Sequence, residues 1–449
     1  MNKRLTVVAV AGVIIVVAAG CTMMALRDNA VLTGADGIGP NPKLPEPQHS
    51  LIPTLFIAPA KPWADGAAPK GVAGTQVVKF ASDLVHPRWV YVLPNGDVLV
   101  AEADAPAPEN NEKEQGSKIK AWIQGKVMQR AGSHVPSANR ITLLRDADGD
   151  GVAETRTVFL ENLVSPYGMA LVGQELFIAN ANGLVKVPYK DGDTKITVAP
   201  VKVTDLPGGL NHHWTKNVLA SPDGSKLYAT VGSNSNVGEN GMEIEAGRAA
   251  IWEIDRASGT KRLFATGLRN PNGMGWEPST GVLWTVVNER DELGGDLVPD
   301  YLTSVKDGAF YGWPYSYYGQ HVDTRIQPQK PELVAKAIAP DYALGSHVAP
   351  LGMTFATGNS LPAQFANGAF VGLHGSWNRK PRAGYKVIFV PFADGKPSGQ
   401  PIDVLTDFVD SEGDANGRPV GVAIDKRGGL LVADDVGNAI WRVSGTAAK

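Results

Sequence analysis

The sequence predicts an all-β fold, a six-bladed β-propeller of four-stranded antiparallel blades whose ring is closed by an N-terminal strand. Three observations predict it. The form Pro-x-Gly-Met/Val recurs in "SPYGMAL" (Ser165–Leu171), "NPNGMGW" (Asn270–Trp276), "APLGMTF" (Ala349–Phe355) and "RPVGVAI" (Arg418–Ile424), and internal similarity of this kind marks a repeat architecture. Each copy opens a short apolar strand that runs through a turn into a second strand, as in "GMGWEPSTGVLWTVVNE" and "GVAIDKRGGLLVADD". A content of 51 Gly, 32 Pro and 10 Trp in 449 residues favours many turns and short strands over long helices.

From the N-terminus, Lys3 and Arg4 precede an apolar run, Leu5–Ala19, that is short for a membrane span; residues 1–20 have the form of an export signal peptide. Ala18-Ala19-Gly20-Cys21 resembles the lipobox of bacterial lipoproteins, so the expectation is a periplasmic protein tethered through an acylated Cys21. The membrane would be met only through that lipid or signal anchor. A single cysteine excludes internal disulfides, CxxCH haem attachment and thiolate-cluster metal sites. Residues 21–74, rich in Pro, Ala and Gly, read as a lipoprotein tether and irregular arm, and residues 75–449 as the propeller catalytic domain.

"TQVVKFASDL" (Thr75–Leu84) is the closing strand, because the last unit supplies only three strands and ends at "AIWRVSG". "HPRWVYVLPNGDVLVAEA" begins the first unit, and "HHWTKNVLASPDGSKLYATVG" begins the third with the same strand, turn, strand layout. "AAIWEIDRASGTKRLFATGL" and "YKVIFVPFADGKPSGQPIDVLTDFV" supply further strand pairs that bring blades to four strands. With 42 basic and 45 acidic residues the chain is nearly neutral and carries no basic stripe; nucleic acid is not an expected partner.

In a propeller the loops entering the innermost strands and those joining second to third strands emerge on one face. The loops expected there are Pro207–Lys216, Gly267–Asn272, Asn288–Gly319, His374–Gly384 and Ala415–Pro419, with Ala103–Arg140 as a cover. His212 and His213 stand at the third entrance, where one imidazole suits a general base near neutral pH. Arg269, Arg418 and the group Arg379, Lys380 and Arg382 bring cations from three blades to the same mouth, which implies a ligand with several carboxylates. "NERDELGGDLVPD" gathers Glu289, Asp291, Glu292, Asp296 and Asp300 on one loop, a donor set suited to calcium. "RDADGDGVAE" (Arg145–Glu154) has the spacing of a calcium loop, but Thr157 stands where an EF-hand carries its bidentate glutamate and strands flank it. Calcium loop and Asp/Gly hairpin turn both remain open for it. No Gly-rich phosphate loop and no G-x-S-x-G elbow support nicotinamide binding or serine hydrolysis.

The run "GLRNPNGMGWEPSTG…NERDELGGD…GAFYGWPY", with "NHHWTKN", "HGSWN" and "GRPVGVAID", resembles the soluble pyrroloquinoline quinone (PQQ)-dependent sugar dehydrogenases, in the branch labelled sorbosone or aldose sugar dehydrogenase-like. The resemblance covers about residues 76–445 and implies a six-bladed propeller. It makes His213 the catalytic base, with His212 where an acidic residue often orients that base. Arg269 and Asn270 match the pair at the quinone edge, and Arg418 a cation for a cofactor carboxylate. Arg379 is the first choice for the remaining cation, with Lys380 and Arg382 competing. Carbonyls near Asp291 and Glu292 would hold the cofactor calcium, and Glu289 with Asp296 a neighbouring ion. The implied activity is oxidation of an aldose or sugar-derived aldehyde to lactone or acid, with electrons passed to an external quinone or cytochrome. The rival readings are a calcium-dependent lactonase and a non-catalytic ligand-binding propeller.

Overall fold

The computed structural model describes residues 29–33, 35–48, 54–106, 125–133, 135–209 and 212–446. The signal run, Cys21 and half of the Ala103–Arg140 cover lie outside them. Six four-stranded antiparallel blades form the predicted propeller. From inner to outer strand, blade one is Pro87–Val92, Val98–Glu102, Arg140–Arg145 and Thr155–Leu160, and blade two is Met169–Val172, Glu175–Asn180, Gly183–Pro188 and Val201–Asp205. Blade three is Val218–Ala220, Lys226–Val231, Ala250–Asp255 and Lys261–Thr266, and blade four is Asn270–Trp276, Leu283–Asn288, Pro299–Ser304 and Tyr342–Ser346. Blade five is Pro350–Phe355, Gly368–Leu373, Lys386–Ala393 and Ile402–Thr406, and blade six is Pro419–Ile424, Leu430–Asp434 and Ala439–Gly445 with Thr75–Ala81 outermost. That closing strand pairs Val77 with Val443 and Lys79 with Trp441, joining the two ends of the domain in one sheet.

The repeated glycine has a physical reason. A Cβ on Gly273 would meet Met353 N at 2.6 Å and Leu351 O at 2.8 Å, in the inner strand of the next blade. Gly168 meets Asn217 and Val218 in the same way, Gly352 meets Val420 and Val422, and Gly421 meets Arg88 and Trp89. Glycine is thus the residue that lets one inner strand press on the next around the axis. Second strands such as Val98–Glu102 and Leu430–Asp434 are buried along their whole length, because a neighbouring blade covers each face. Aromatic and aliphatic side chains fill these interfaces, as Phe177, Leu227 and Ile254 do between blades two and three and Phe389, Val432 and Trp441 between five and six.

Two additions shape the mouth. Blade four inserts residues 305–341 between its last two strands, with the hairpin Ser316–Tyr317/His321–Val322 and a short helix, Pro331–Val334. The arm, expected as a tether, packs on the propeller where it is described: Lys70–Gly71 pairs with Leu405 and Thr406 at the edge of blade five, and Ala58 is fully buried.

Gly273→Ala tests the packing rule. Forcing a methyl group against backbone atoms should cost about 1–3 kcal/mol, read as a lower thermal unfolding midpoint; an unchanged midpoint would refute the role given to these glycines.

Candidate functional site

The entrances of the inner strands and the exits of the second strands share one face, and His213 lies at its third entrance. Its Nδ1 is 2.7 Å from the Ser233 carbonyl and 3.1 Å from the Ser233 hydroxyl. A carbonyl only accepts, so Nδ1 carries the proton and Nε2 keeps its lone pair. Ser233 is itself held, its hydroxyl donating to Ser235 O at 2.7 Å and its N–H to Arg269 O at 2.7 Å. A Cβ at Gly232 would strike both Asn270 Oδ1 and His213 Cβ, so glycine there leaves room for both site residues. Burial, reinforced by the positive charge of Arg269, pushes His213 well below its ordinary 6.5. Ser233 thus fixes the ring, the task expected of position 212, while His212 is exposed beside it.

Arg269 reaches from blade four into the acidic loop. Nη1 donates to Glu289 O at 2.6 Å and lies 3.5 Å from Asn288 O, and Nη2 contacts Asn236 Oδ1 at 3.1 Å and Asp291 Oδ2 at 3.4 Å. Trp313, in the "YGWP" motif, braces this corner by donating to Asn236 O at 2.9 Å. Asp291 also accepts from Asn378 Nδ2 at 2.8 Å and faces His347 Nδ1 at 3.3 Å. Burial opposes its charge, but His347, Arg269 and Asn378 outweigh burial and hold the carboxyl at about 2.

The other acidic side chains of this loop point to different partners. Glu289 Oε2 accepts from Arg290 N and Nε, both at 3.0 Å, and the wholly buried Arg290 continues to Asp323 at 3.1 Å in the blade-four insertion. Asp296 faces Arg379 Nη2 at 3.2 Å and accepts the N–H groups of Val31 and Leu32. Glu292 is exposed with a positive φ of 69°. The carbonyl of Asp291 receives Arg325 Nη1 at 2.8 Å and Asn236 Nδ2 at 3.1 Å. The carbonyls of Asn288 and Glu289 both face Arg269 Nη1, and Glu289 Oε1 is buried without a hydrogen bond.

The cations divide into two kinds. Arg379 has a carboxylate partner in Asp296 and donates to Gly295 O, and Lys380 is exposed. Arg418 and Arg382 have no carboxylate partner among the described residues, and each leaves its Nε buried without a hydrogen bond. Asn270 Oδ1, Asn378 Oδ1 and Arg88 Nε are also buried and unpartnered. Such atoms cost about 1–3 kcal/mol each unless something satisfies them, and these lie on residues of one mouth. The arginine Nε–H groups suit an anionic ligand with several acceptor oxygens, whereas the two asparagine oxygens call for a donor.

A second cluster lies between blades six, five and one. The Asp435 carboxylate pairs with Arg88, accepts from His374 Nε2 at 2.9 Å and is 3.6 Å from His86 Nε2. Burial opposes the Asp435 charge, but His374, His86 and Arg88 hold the carboxyl well below the usual range. Burial lowers His374 to about 4 despite Asp435, so its imidazole is neutral near neutral pH. The Arg88 guanidinium lies 5.7 Å from the centre of the Trp214 ring, next to His213, and links this cluster to the first.

The Arg145–Glu154 loop joins the outer strands of blade one, away from the mouth. Asp146 accepts from Gly149 N and Gly151 N and pairs with Arg427, while Glu154 accepts from Ala147 N. Asp146, Asp148, Asp150 and Glu154 still bring one carboxylate oxygen each within 4.8 Å of the others, an arrangement that can hold a cation.

Ser233, Asn236, His347 and Asp435 were not picked out by the sequence. The first two lie on the loop joining the second and third strands of blade three, which has the same topological place as the loops that were chosen; that place was the available signal.

A family model described as "Domain of unknown function (DUF7133)" matches residues 94–376, and a "TrAA12-like" model matches 323–446. An uncharacterised protein of Borreliella burgdorferi is 29% identical over 234 residues, 51% of this chain and 60% of that one. The PQQ-dependent pyranose dehydrogenase of Coprinopsis cinerea is 28% identical over 228 residues, 41% of this chain and 30% of that one. The chain thus spans less than two thirds of either relative's length. The holo PQQ domain of pyranose dehydrogenase from Coprinopsis cinerea superposes with a TM-score of 0.65 at 21% identity, covering 87% of this chain and all of that domain, and shares the fold. The chain belongs to the DUF7133 family, and its homologues and fold neighbours include PQQ-dependent sugar dehydrogenases, the family its motifs resemble.

Proposed function

We propose that this protein oxidises an aldose sugar or sugar-derived aldehyde to the lactone or acid with PQQ, and passes the electrons to an external quinone or cytochrome. The observation that carries the reading is the His213 tautomer beside a mouth where Arg418 and Arg382 have no carboxylate partner among the described residues and each buries an Nε without a hydrogen bond. When bound, PQQ supplies an electrophilic quinone that accepts the substrate hydride, and calcium polarises its carbonyl. His213 Nε2 takes the substrate hydroxyl proton, while Ser233 keeps the ring from turning. Arg269 and Asn270 face the reacting edge, and Arg418 with Arg382 grip carboxylates. Arg379, the first choice from the resemblance, is neutralised by Asp296 and serves the wall of the site. Calcium would be held by carbonyls of the Asn288–Glu292 loop, among them those of Asn288 and Glu289.

Purified apo-protein should gain dye-linked sugar or aldehyde oxidation on addition of PQQ with calcium, and no gain across a broad substrate panel would sink the reading. His213→Ala should lower turnover by roughly a hundred-fold or more while PQQ still binds; full turnover would remove His213 as base. The folded-state value of His213 is depressed, so its neutral, proton-accepting form survives as pH falls through 6.5. Turnover should persist there, and an acid limb centred at 6.5 would contradict the assignment.

We also propose export and acylation at Cys21, on the strength of the Ala18–Cys21 motif. Metabolic fatty-acid labelling should mark the expressed protein and disappear in Cys21→Ala; label retained in the variant would exclude that anchor.

A further inference from the structure

The N-terminal arm reaches the two unneutralised arginines. Phe56 N donates to Trp377 O at 2.8 Å, and the Phe56 ring lies 4.1 Å from the Arg382 guanidinium. The next two carbonyls take one arginine each: Ile57 O accepts from Arg382 Nη2 at 2.6 Å, and Ala58 O from Arg418 Nη2 at 3.3 Å. The segment is anchored on the far side. Ala415 N donates to Pro59 O at 2.7 Å and Lys61 N to Ala415 O at 2.9 Å, three residues before Arg418. The Lys61 ammonium sits among Asp410, Glu412 and Asp414 at 3.0, 3.3 and 3.9 Å. Trp63 Nε1 donates to Asp434 Oδ2 at 2.8 Å, and the other oxygen of Asp434 accepts the Arg418 N–H at 2.8 Å. The Trp63 ring packs edge-on to Phe408 and Trp441 in the core between blades five and six.

We infer that Phe56–Ala58 is a positioning segment of the mouth, which holds Arg382 and Arg418 ready for a carboxylate-bearing ligand and thereby sets its affinity. A carbonyl fixes a guanidinium without cancelling its charge, whereas a carboxylate such as Asp296 on Arg379 consumes that charge. An arginine fixed in advance loses less rotamer freedom when the ligand arrives. The anchoring by Lys61, Trp63 and Ala415 marks the segment as a resident wall. The inference rests on the anion-site reading above and selects Arg382 over Arg379 and Lys380.

The test is calorimetric titration of the apo-protein with PQQ and, separately, with the simple tricarboxylate trimesate. Phe56→Ala removes the ring under Arg382 and should weaken both probes roughly ten-fold, with a thermal midpoint near that of the parent; Phe56→Tyr should restore the affinity. Trp63→Phe keeps an aromatic ring in the core but loses the N–H to Asp434, and should shift affinity in the same direction if Phe56→Ala fails to fold. Unchanged affinity in the folded variants overturns the inference. Tighter binding also overturns it, because the segment would then be a cover over the cations. Parent protein that binds trimesate but not PQQ removes the cofactor reading and leaves the positioning role measurable; parent protein that binds neither removes both.

Discussion

The close approach of neighbouring inner strands is the constraint on which the rest depends. Gly168, Gly273, Gly352 and Gly421 each sit where a side chain would strike the backbone of the next blade. Removing that side chain brings the inner strands together around one axis, so their entrance loops form a single ring. His213, Arg269 and Arg418, far apart in sequence, become residues of one mouth for that reason. The apolar faces of the blades then seal the interfaces, and the closing strand Thr75–Ala81 ties the N-terminal edge to Ala439–Gly445.

Within that ring the arrangement of charge separates structure from chemistry. Arg290 is wholly buried and paired with Glu289 and Asp323, and Arg379 is paired with Asp296. These pairs fix loops. Arg418 and Arg382 are held instead by carbonyl oxygens and by the rings of Tyr385 and Phe56, so their charge remains available. His213 follows the same logic, because a carbonyl partner selects its tautomer and leaves Nε2 basic. Neutral partners hold His213, Arg382 and Arg418, whereas Arg269 also meets the Asp291 carboxylate.

The blade repeat was legible in the sequence because four blades open with the same proline-glycine form and two more share the strand, turn, strand layout, and these six starts match six inner strands. His213, Arg269 and Asn270 were legible as residues at strand entrances, and the structure brings them together. The partners of the acidic loop were not. Counting carboxylates between Glu289 and Asp296 suggested a pooled site, but Glu289, Asp291 and Asp296 meet Arg290, Arg269 and Arg379 respectively, a division that only the fold makes. Ser233 was missed because a serine carbonyl carries no compositional signal. The contacts of the irregular arm were not legible, because its Pro-, Ala- and Gly-rich composition hides hydrogen bonds made through backbone carbonyls at Ile57 and Ala58.

A crystal structure of the protein soaked with PQQ and calcium tests the central claim most directly. The account predicts density for the quinone beside His213 Nε2 and Asn270, with cofactor carboxylates on Arg418 and Arg382. Density for PQQ away from this mouth, or an empty mouth at saturating PQQ, would contradict it.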